Sequence, residues 1–261
     1  MFKTLAGSTA CALWATAAFA NSAVLQSGGD WSQDLTLYLF TPFETSGTST
    51  VAGAEADVDL DLGDVLDILN FGASLRYEAW QNDFGLIVDG NYVDLSANGS
   101  GPAGMVVADV DSRQWWLGLL AGYRASSGVL ANGARYSFDV QGGVRYNSLK
   151  QEISLSGGPG PGLTLGGTET WWEPVIGARY VWEINDRWTG GALVDAGGFG
   201  VNDSDLQWSA TLGADYALSD TSALKVGVRY YSIDFETERS DGTFAYDVTQ
   251  VGPFVGYTFR F

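Results

Sequence analysis

Residues 135–148, RYSFDVQGGVRYNS, alternate with a period of two. Tyr136, Phe138, Val140, Val144 and Tyr146 fall on one face, and Ser137, Asp139, Gln141, Arg145 and Asn147 on the other. Successive side chains of a β-strand point to opposite sides, so this pattern reads as a strand with one apolar and one polar face. It recurs in ten runs, near 35–43, 71–79, 84–92, 115–123, 135–148, 172–184, 188–196, 205–218, 224–230 and 251–261. Most are longer than the mean soluble strand of about 5–6 residues. They match the roughly 9–11 residues that cross a bilayer at a tilt. Beyond residue 20 no apolar stretch reaches the roughly 18 residues of a membrane-spanning helix.

The links between runs alternate in length. Short ones follow Trp80, Ile184 and Leu218, with a moderately short one at 125–134. Longer ones, rich in Gly, Pro and acids, cover 44–70, 97–105, 152–168, 197–204 and 236–245. Outer-membrane barrels show this asymmetry, with short periplasmic turns and longer outer loops. The expected fold is therefore all-β: a closed antiparallel transmembrane barrel of about ten strands. Eight and twelve are the neighbouring counts, and both chain ends lie in the periplasm. Closure pairs every backbone N–H and C=O inside lipid. Aromatic residues, 13% of the chain, include Trp80, Tyr123, Trp182, Trp188 and Tyr257 at run ends, where an interfacial girdle is expected. A soluble sandwich or lipocalin-like barrel also alternates, with the apolar face turned inward. Strand length, the leader and the chain end favour the membrane barrel.

The leader is residues 1–20. Lys3 supplies a positive start, an apolar run extends to Phe19, and Ala18-Phe19-Ala20 is a small-x-small cleavage site. Cys11 lacks the Leu three residues earlier that a lipoprotein site requires. Residues 21–30 are then a periplasmic lead-in and 31–261 the barrel. After cleavage near Ala20 no cysteine remains, so no disulfide is expected. The formal charge of −18, made more negative by loss of Lys3, disfavours nucleic acid.

The last ten residues, GPFVGYTFRF, place Gly256, Phe259 and Phe261 in the pattern of the C-terminal signal by which outer-membrane barrels are recognised for insertion. Phe254 stands where that pattern has a polar residue. The segments DVDLDLGDVLDIL, FGLIVDGNYVDLS, LLAGYR, EPVIGARY, RWTGGALVDAGGFG and YDVTQVGPFVGYTFRF extend the likeness from about Trp31 to Phe261. The chain resembles a broad family of small Gram-negative outer-membrane β-barrels, of the OmpA/OmpW-like kind. The resemblance implies the barrel, an outer-membrane location, contact with lipid and lipopolysaccharide, and recognition of Phe261 by the barrel-insertion machinery. It implies no established activity, cofactor or oligomeric state.

The sequence contains no histidine, the one side chain whose unperturbed pKa suits acid–base work near neutrality. The paired carboxylates Asp109/Asp111 and Asp203/Asp205 read as solvated loop faces, and no nucleophile elbow, P-loop or Cys/His metal pattern occurs. No enzyme activity is expected. The polar faces carry Arg76, Glu78, Asp89, Arg124, Asp139, Arg145, Glu173, Arg179, Glu183, Asp195, Asp215, Lys225, Arg229 and Arg260. In a barrel of about ten strands these fill the lumen rather than line a wide channel. The expected role is structural or surface-interacting, and the alternative is a narrow passive pore for small solutes or apolar compounds.

Glu44 to Asp67 holds seven acids and no basic residue. Asp57, Asp59 and Asp61 make a weak divalent-cation candidate, because oxygen ligands suit Ca²⁺ and Mg²⁺. An EF-hand loop counted from Asp57 lacks its Gly and Glu, so a dedicated calcium loop is not expected. Alternation makes 57–62 a short strand, and Asp64 then caps a helix near 64–69. Strand parity places both in the first outer loop, as a lid or plug over the mouth.

Overall fold

The computed structural model describes residue 25 and residues 29–100, 107–157 and 162–261. The expected leader 1–20, its cleavage near Ala20, and most of the 21–30 lead-in lie outside the described residues. Within them, the chain forms β1 (Ser32–Phe40), β2 (Glu44–Val51), β3 (Ala54–Asp61), α1 (Leu62–Ile68), β4 (Leu69–Gln81), β5 (Phe84–Ser100), β6 (Val107–Val129), β7 (Arg135–Ser156), β8 (Leu163–Glu183), β9 (Trp188–Val201), β10 (Ser204–Ser219), β11 (Ser222–Arg239) and β12 (Gly242–Arg260). Ten of the strands, β1 and β4 to β12, pair antiparallel in order, and β12 returns to β1 to close the barrel. Among the described residues no helix is long and apolar enough to cross a membrane.

The outside carries two rings of aromatic contacts. One includes Phe71–Tyr92, Trp115–Tyr146, Tyr146–Trp172 and Trp208–Tyr230, with centroids 4.5 to 5.9 Å apart. The other includes Phe84–Tyr123, Tyr136–Tyr180, Trp188–Tyr216 and Tyr257–Phe259. Between them the exposed side chains are aliphatic, such as Leu86, Leu117, Leu119, Val140, Val144, Ile176, Leu212 and Val228. Phe84 and Tyr92 bound this band on β5. Their separation is about 27 Å along a strand and roughly 20 Å once tilted, near the height of a lipid-facing band. This exterior makes the molecule a membrane barrel.

The strands do not stop at the outer ring, and here the expected long loops need correction. Residues 152–168, 197–204 and 236–245 are mostly strand, as are the described parts of 97–105. The turn at Asn202-Asp203 has φ of 54° and 64° at its two residues, the form that matches strand twist in a hairpin. In segment 44–70 the expected short strand and helix are present as β3 and α1, and β2, which was not expected, pairs with β3 as a hairpin.

Above the outer ring the hydrophobic phase inverts, and between β11 and β12 it does so without a change of register. Along β11, Leu224, Val226 and Val228 face out, while Tyr231, Ile233 and Phe235 are buried inside and Asp234 and Glu236 face out. Aromatic doublets mark the inversion. Trp115, Trp172 and Tyr230 belong to the outer ring, whereas Trp116, Trp171 and Tyr231 are buried. Leu149, Trp171, Tyr231, Ile233, Phe235, Phe244, Tyr246 and Val248 form one apolar cluster within the outer half. This suits a barrel that leaves lipid for water, since apolar side chains then gain by turning inward.

The hairpin β2–β3 crosses this mouth. Val58 of β3 packs against the cluster, and Val51 of β2 sits beside Gly166 of β8 on the far wall. The helix is capped by Asp61, one turn earlier than the expected Asp64. The Asp61 side chain accepts from the Asp64 N–H at 3.0 Å, and Asp64 accepts from the Asp61 N–H at 3.1 Å. This reciprocal box puts Gly63 inside the helix rather than before it.

β1 and β2 run along β12 with a break at Thr41–Pro42. There a Cβ on Gly252 would lie 2.4 Å from both Pro42 Cα and Thr41 O. Gly252→Val therefore forces the closing seam apart. We expect a barrel that unfolds at lower temperature, read as loss of the fast-migrating form on gels of samples heated stepwise.

Candidate functional site

Inside the lipid-spanning half, the strand faces opposite the aliphatic band converge on a layer of ion pairs. β4 contributes Arg76, Glu78 and Trp80. Arg179 from β8 crosses to them, its Nη1 2.6 Å from Glu78 Oε2 and its Nη2 3.0 Å from Asp139 Oδ2 on β7. Arg76 reaches Glu78 through Nε at 2.6 Å, Asp89 on β5 through Nη1 at 2.6 Å, and Gln141 at 3.2 Å. Arg124 Nε is 3.2 Å from Asp139 Oδ1. The Trp80 indole donates to Glu78 at 2.9 Å, and the guanidinium carbons of Arg124 and Arg179 lie 5.0 and 5.3 Å from its ring centroid. Trp80 was expected in an interfacial girdle, but it shares parity with Arg76 and Glu78 and is buried inside.

A second group joins it. Arg145 contacts Glu173 on β8 at 3.2 Å and Asp195 on β9 at 2.9 Å. Ser209 donates to Asp195, and Ser204 to Glu173 at 2.8 Å. The Arg145 guanidinium lies 5.2 Å from the Trp116 ring. Lys225 reaches Asp215 at 2.7 Å. Two sequence-selected residues stand apart from these chains of contacts. Glu183 pairs with Arg135 at 2.5 Å at the opposite end of the strands from the mouth, and Arg260 is buried with Nε and Nη1 lacking hydrogen-bond partners. Near that end Leu25 is buried against Val181.

Arg229 differs from its neighbours. Its guanidinium rests over Trp116 at 5.7 Å and over Tyr231 at 5.5 Å. It donates through Nη2 to Ser209 in a long 3.5 Å contact, and its Nε is buried without a partner among the described residues. It lines the two larger cavities. One, of about 150 Å³, lies beside the ion pairs and is lined by Thr36, Tyr38, Lys225 and small residues of β9 and β10. The other, of about 430 Å³, lies above, beneath β3 and α1. Sequence reasoning placed Arg229 in the lumen but missed this upper chamber, because it ended the strands at the outer ring. The aromatic doublets were the available signal.

Asp57, Asp59 and Asp61 project from one exposed side of β3 and do not converge, since alternate residues of a strand sit about 6.6 Å apart. Among the described residues no three acidic side chains are grouped to hold a metal ion. Asp109 is exposed, Asp111 lies 3.9 Å from Lys150, and Asp203 accepts from Thr237 at 2.9 Å. Gly256 and Phe259 lie in the closing seam: Gly256 pairs with Tyr38 and Phe259 with Leu35. A Cβ on Gly256 would lie 2.7 Å from Tyr38 Cβ. Phe261 receives no strand partner but its N–H donates to Gln33 O at 2.9 Å.

On the outer extension, Asp234 faces Asp247 across β11–β12. Burial, then the charges of Asp247, Asp205 and Glu236, push its carboxyl up. A raised carboxyl favours the folded tip at low pH, and this contribution is lost as pH rises through the folded value. Asp234→Asn should slow hydrogen exchange of the β10–β12 tips at neutral pH, after correction for intrinsic rates. The gain should shrink as the pH is lowered and the wild-type carboxyl takes up its proton. In the lumen, Arg179→Met leaves Glu78 and Asp139 each short of a partner. It should cost about 3–5 kcal/mol in denaturant unfolding, with part regained in Arg179→Met/Glu78→Gln.

No protein-family model matches this sequence, and no curated protein matches it. Solved structures do. The outer membrane protease OmpT from Escherichia coli is 10% identical, with 88% of this chain and 96% of that one covered and a TM-score of 0.47. The attachment invasion locus protein Ail of Yersinia pestis is 11% identical, with 89% and 99% covered and a TM-score of 0.35. The outer membrane protein OprG from Pseudomonas aeruginosa is 12% identical, with 90% and 97% covered and a TM-score of 0.34. The reading of the site rests on this chain's own residues.

Proposed function

We propose that this chain is an integral outer-membrane barrel whose lumen is sealed by its own side chains, and that it acts as a non-catalytic structural or surface-interaction protein. The observation that carries this is the layer in which Arg76, Arg124, Arg145 and Arg179 are each bound to carboxylates from other strands. Buried ion pairs in a low-dielectric tube hold one another in place and exclude bulk water. The absence of histidine from the chain supports a non-catalytic role, because the usual base for neutral acid–base chemistry is missing. The outer extension supports a surface role: its core holds the strands above the lipid and displays acids such as Asp234, Glu236 and Asp247 to the outside. The lipid-facing band and aromatic rings suit the outer leaflet and its lipopolysaccharide, and Phe261 is the residue offered to the insertion machinery.

Planar-bilayer recording of the refolded protein tests the seal. Wild type should give a flat trace. Glu78→Ala/Arg179→Ala, which removes one charge of each sign, should give small unitary currents. Stable currents from the wild type sink the sealed-lumen reading.

A further inference from the structure

The upper chamber of about 430 Å³ falls within the range of small-molecule sites, and like them it is mostly apolar with a few convergent polar groups. Val58, Leu60 and Val65 roof it, Val93 and Leu95 of β5 wall it, and Trp116 and Tyr231 form its floor with Arg229. Arg229 is the single basic residue in this lining, and its two acids, Asp57 and Asp59, belong to the exposed face of β3 rather than to the face of Val58 and Leu60. The cation at the floor orients a guest: an anionic end is attracted there. Arg229, like Arg260 at the far end of the lumen, also has bonding capacity to spare. Its Nε is buried without a partner, and among the described residues it makes no ion pair, while Arg76, Arg145 and Arg179 each hold two carboxylates.

We propose that this chamber binds a small amphiphile, an apolar body with a single carboxylate end, with the carboxylate seated against Arg229. The roof hairpin and helix cover the apolar body, and the ion-pair layer below makes the chamber a blind pocket. The proposal goes beyond the sealed-lumen reading and is measured independently of it, by binding rather than by current.

The test uses two probes of one shape, 4-phenylbutyrate and 4-phenylbutan-1-ol, titrated calorimetrically at neutral pH into the refolded barrel in detergent. Wild type should bind the carboxylate about tenfold more tightly than the alcohol, the scale of a charge-assisted hydrogen bond. Arg229→Met should erase that preference and Arg229→Lys should keep it. Ala97→Trp, which fills the chamber from β5, should lose both probes. Heat-modifiable gel migration checks that each variant is folded. The proposal is overturned if neither probe binds wild type, or if both bind equally. It is equally overturned if the preference survives in Arg229→Met, or if folded Ala97→Trp still binds, since the probes then sit outside the chamber.

Discussion

A backbone amide inside lipid has no water to bond, and each unpaired group there costs several kcal/mol. That requirement sets the architecture around β1. It is the shortest wall strand, with 9 residues, whereas its neighbour β12 has 19. β1 is paired on both sides within the lipid band, with β12 from Asp34↔Arg260 to Phe40↔Phe254 and with β4 from Ser32↔Trp80 to Tyr38↔Ser74. The outer half of β12 is left over, and β2 takes that edge from Glu44↔Val251 to Thr50↔Ala245. β3 then covers β2. The other edge of β3 has no strand partner among the described residues, but it lies above the aromatic ring, where water can serve. The roof hairpin follows from the mismatch between a short first strand and a long last one.

The two halves of the lumen solve the filling problem differently. The outer half is filled by Leu149, Phe235, Phe244 and their neighbours, and the inner half by arginines, carboxylates and Trp80. Buried ion pairs are weak sources of stability compared with apolar filling. Their value here is in register. A strand slipped by one residue would turn Arg76 and Glu78 into lipid and Leu75 and Tyr77 into the charged layer, a far larger cost than slippage between two apolar faces. Arg145 and Arg179 each bind carboxylates on two other strands and Arg76 binds Asp89 on β5, which fixes the relative heights of β4, β5, β7, β8 and β9.

The lipid-spanning half was legible in the sequence because one rule, apolar out and polar in, holds along most of each run there, with Ile87, Leu120 and Val175 as apolar exceptions packed inside with Trp80. Ten runs gave ten wall strands, and the charged positions on their polar faces line the lumen. The outer half was not legible by the same rule. Where apolar residues change faces, a period-two reading ends the strand and reports a loop, as at 152–168 and 236–245. The chain signals the change with two adjacent large aromatics, one for each face, at Trp115-Trp116, Trp171-Trp172 and Tyr230-Tyr231. Trp80 was misplaced for a different reason: its residue type suits a girdle, but its parity with Glu78 puts it inside, and parity prevails. The helix began earlier than expected because Asp61 could serve both as the last residue of β3 and as the cap.

The chamber sits where the phase changes, and this explains why the barrel is not filled there. Below that level long charged side chains span the lumen, and above it Leu149 of β7 and the aromatic residues of β8, β11 and β12 pack against one another. At the change, the side formed by β4 and β5 offers Gly72 and Ala97, and the roof offers Ala54 and Ala56. Neither the charged layer nor the aromatic cluster reaches across to these small residues. The space that remains has apolar walls and Arg229 at its floor. The same inversion that lets the strands leave the lipid therefore leaves an apolar volume beneath the hairpin, with Arg229 at its floor.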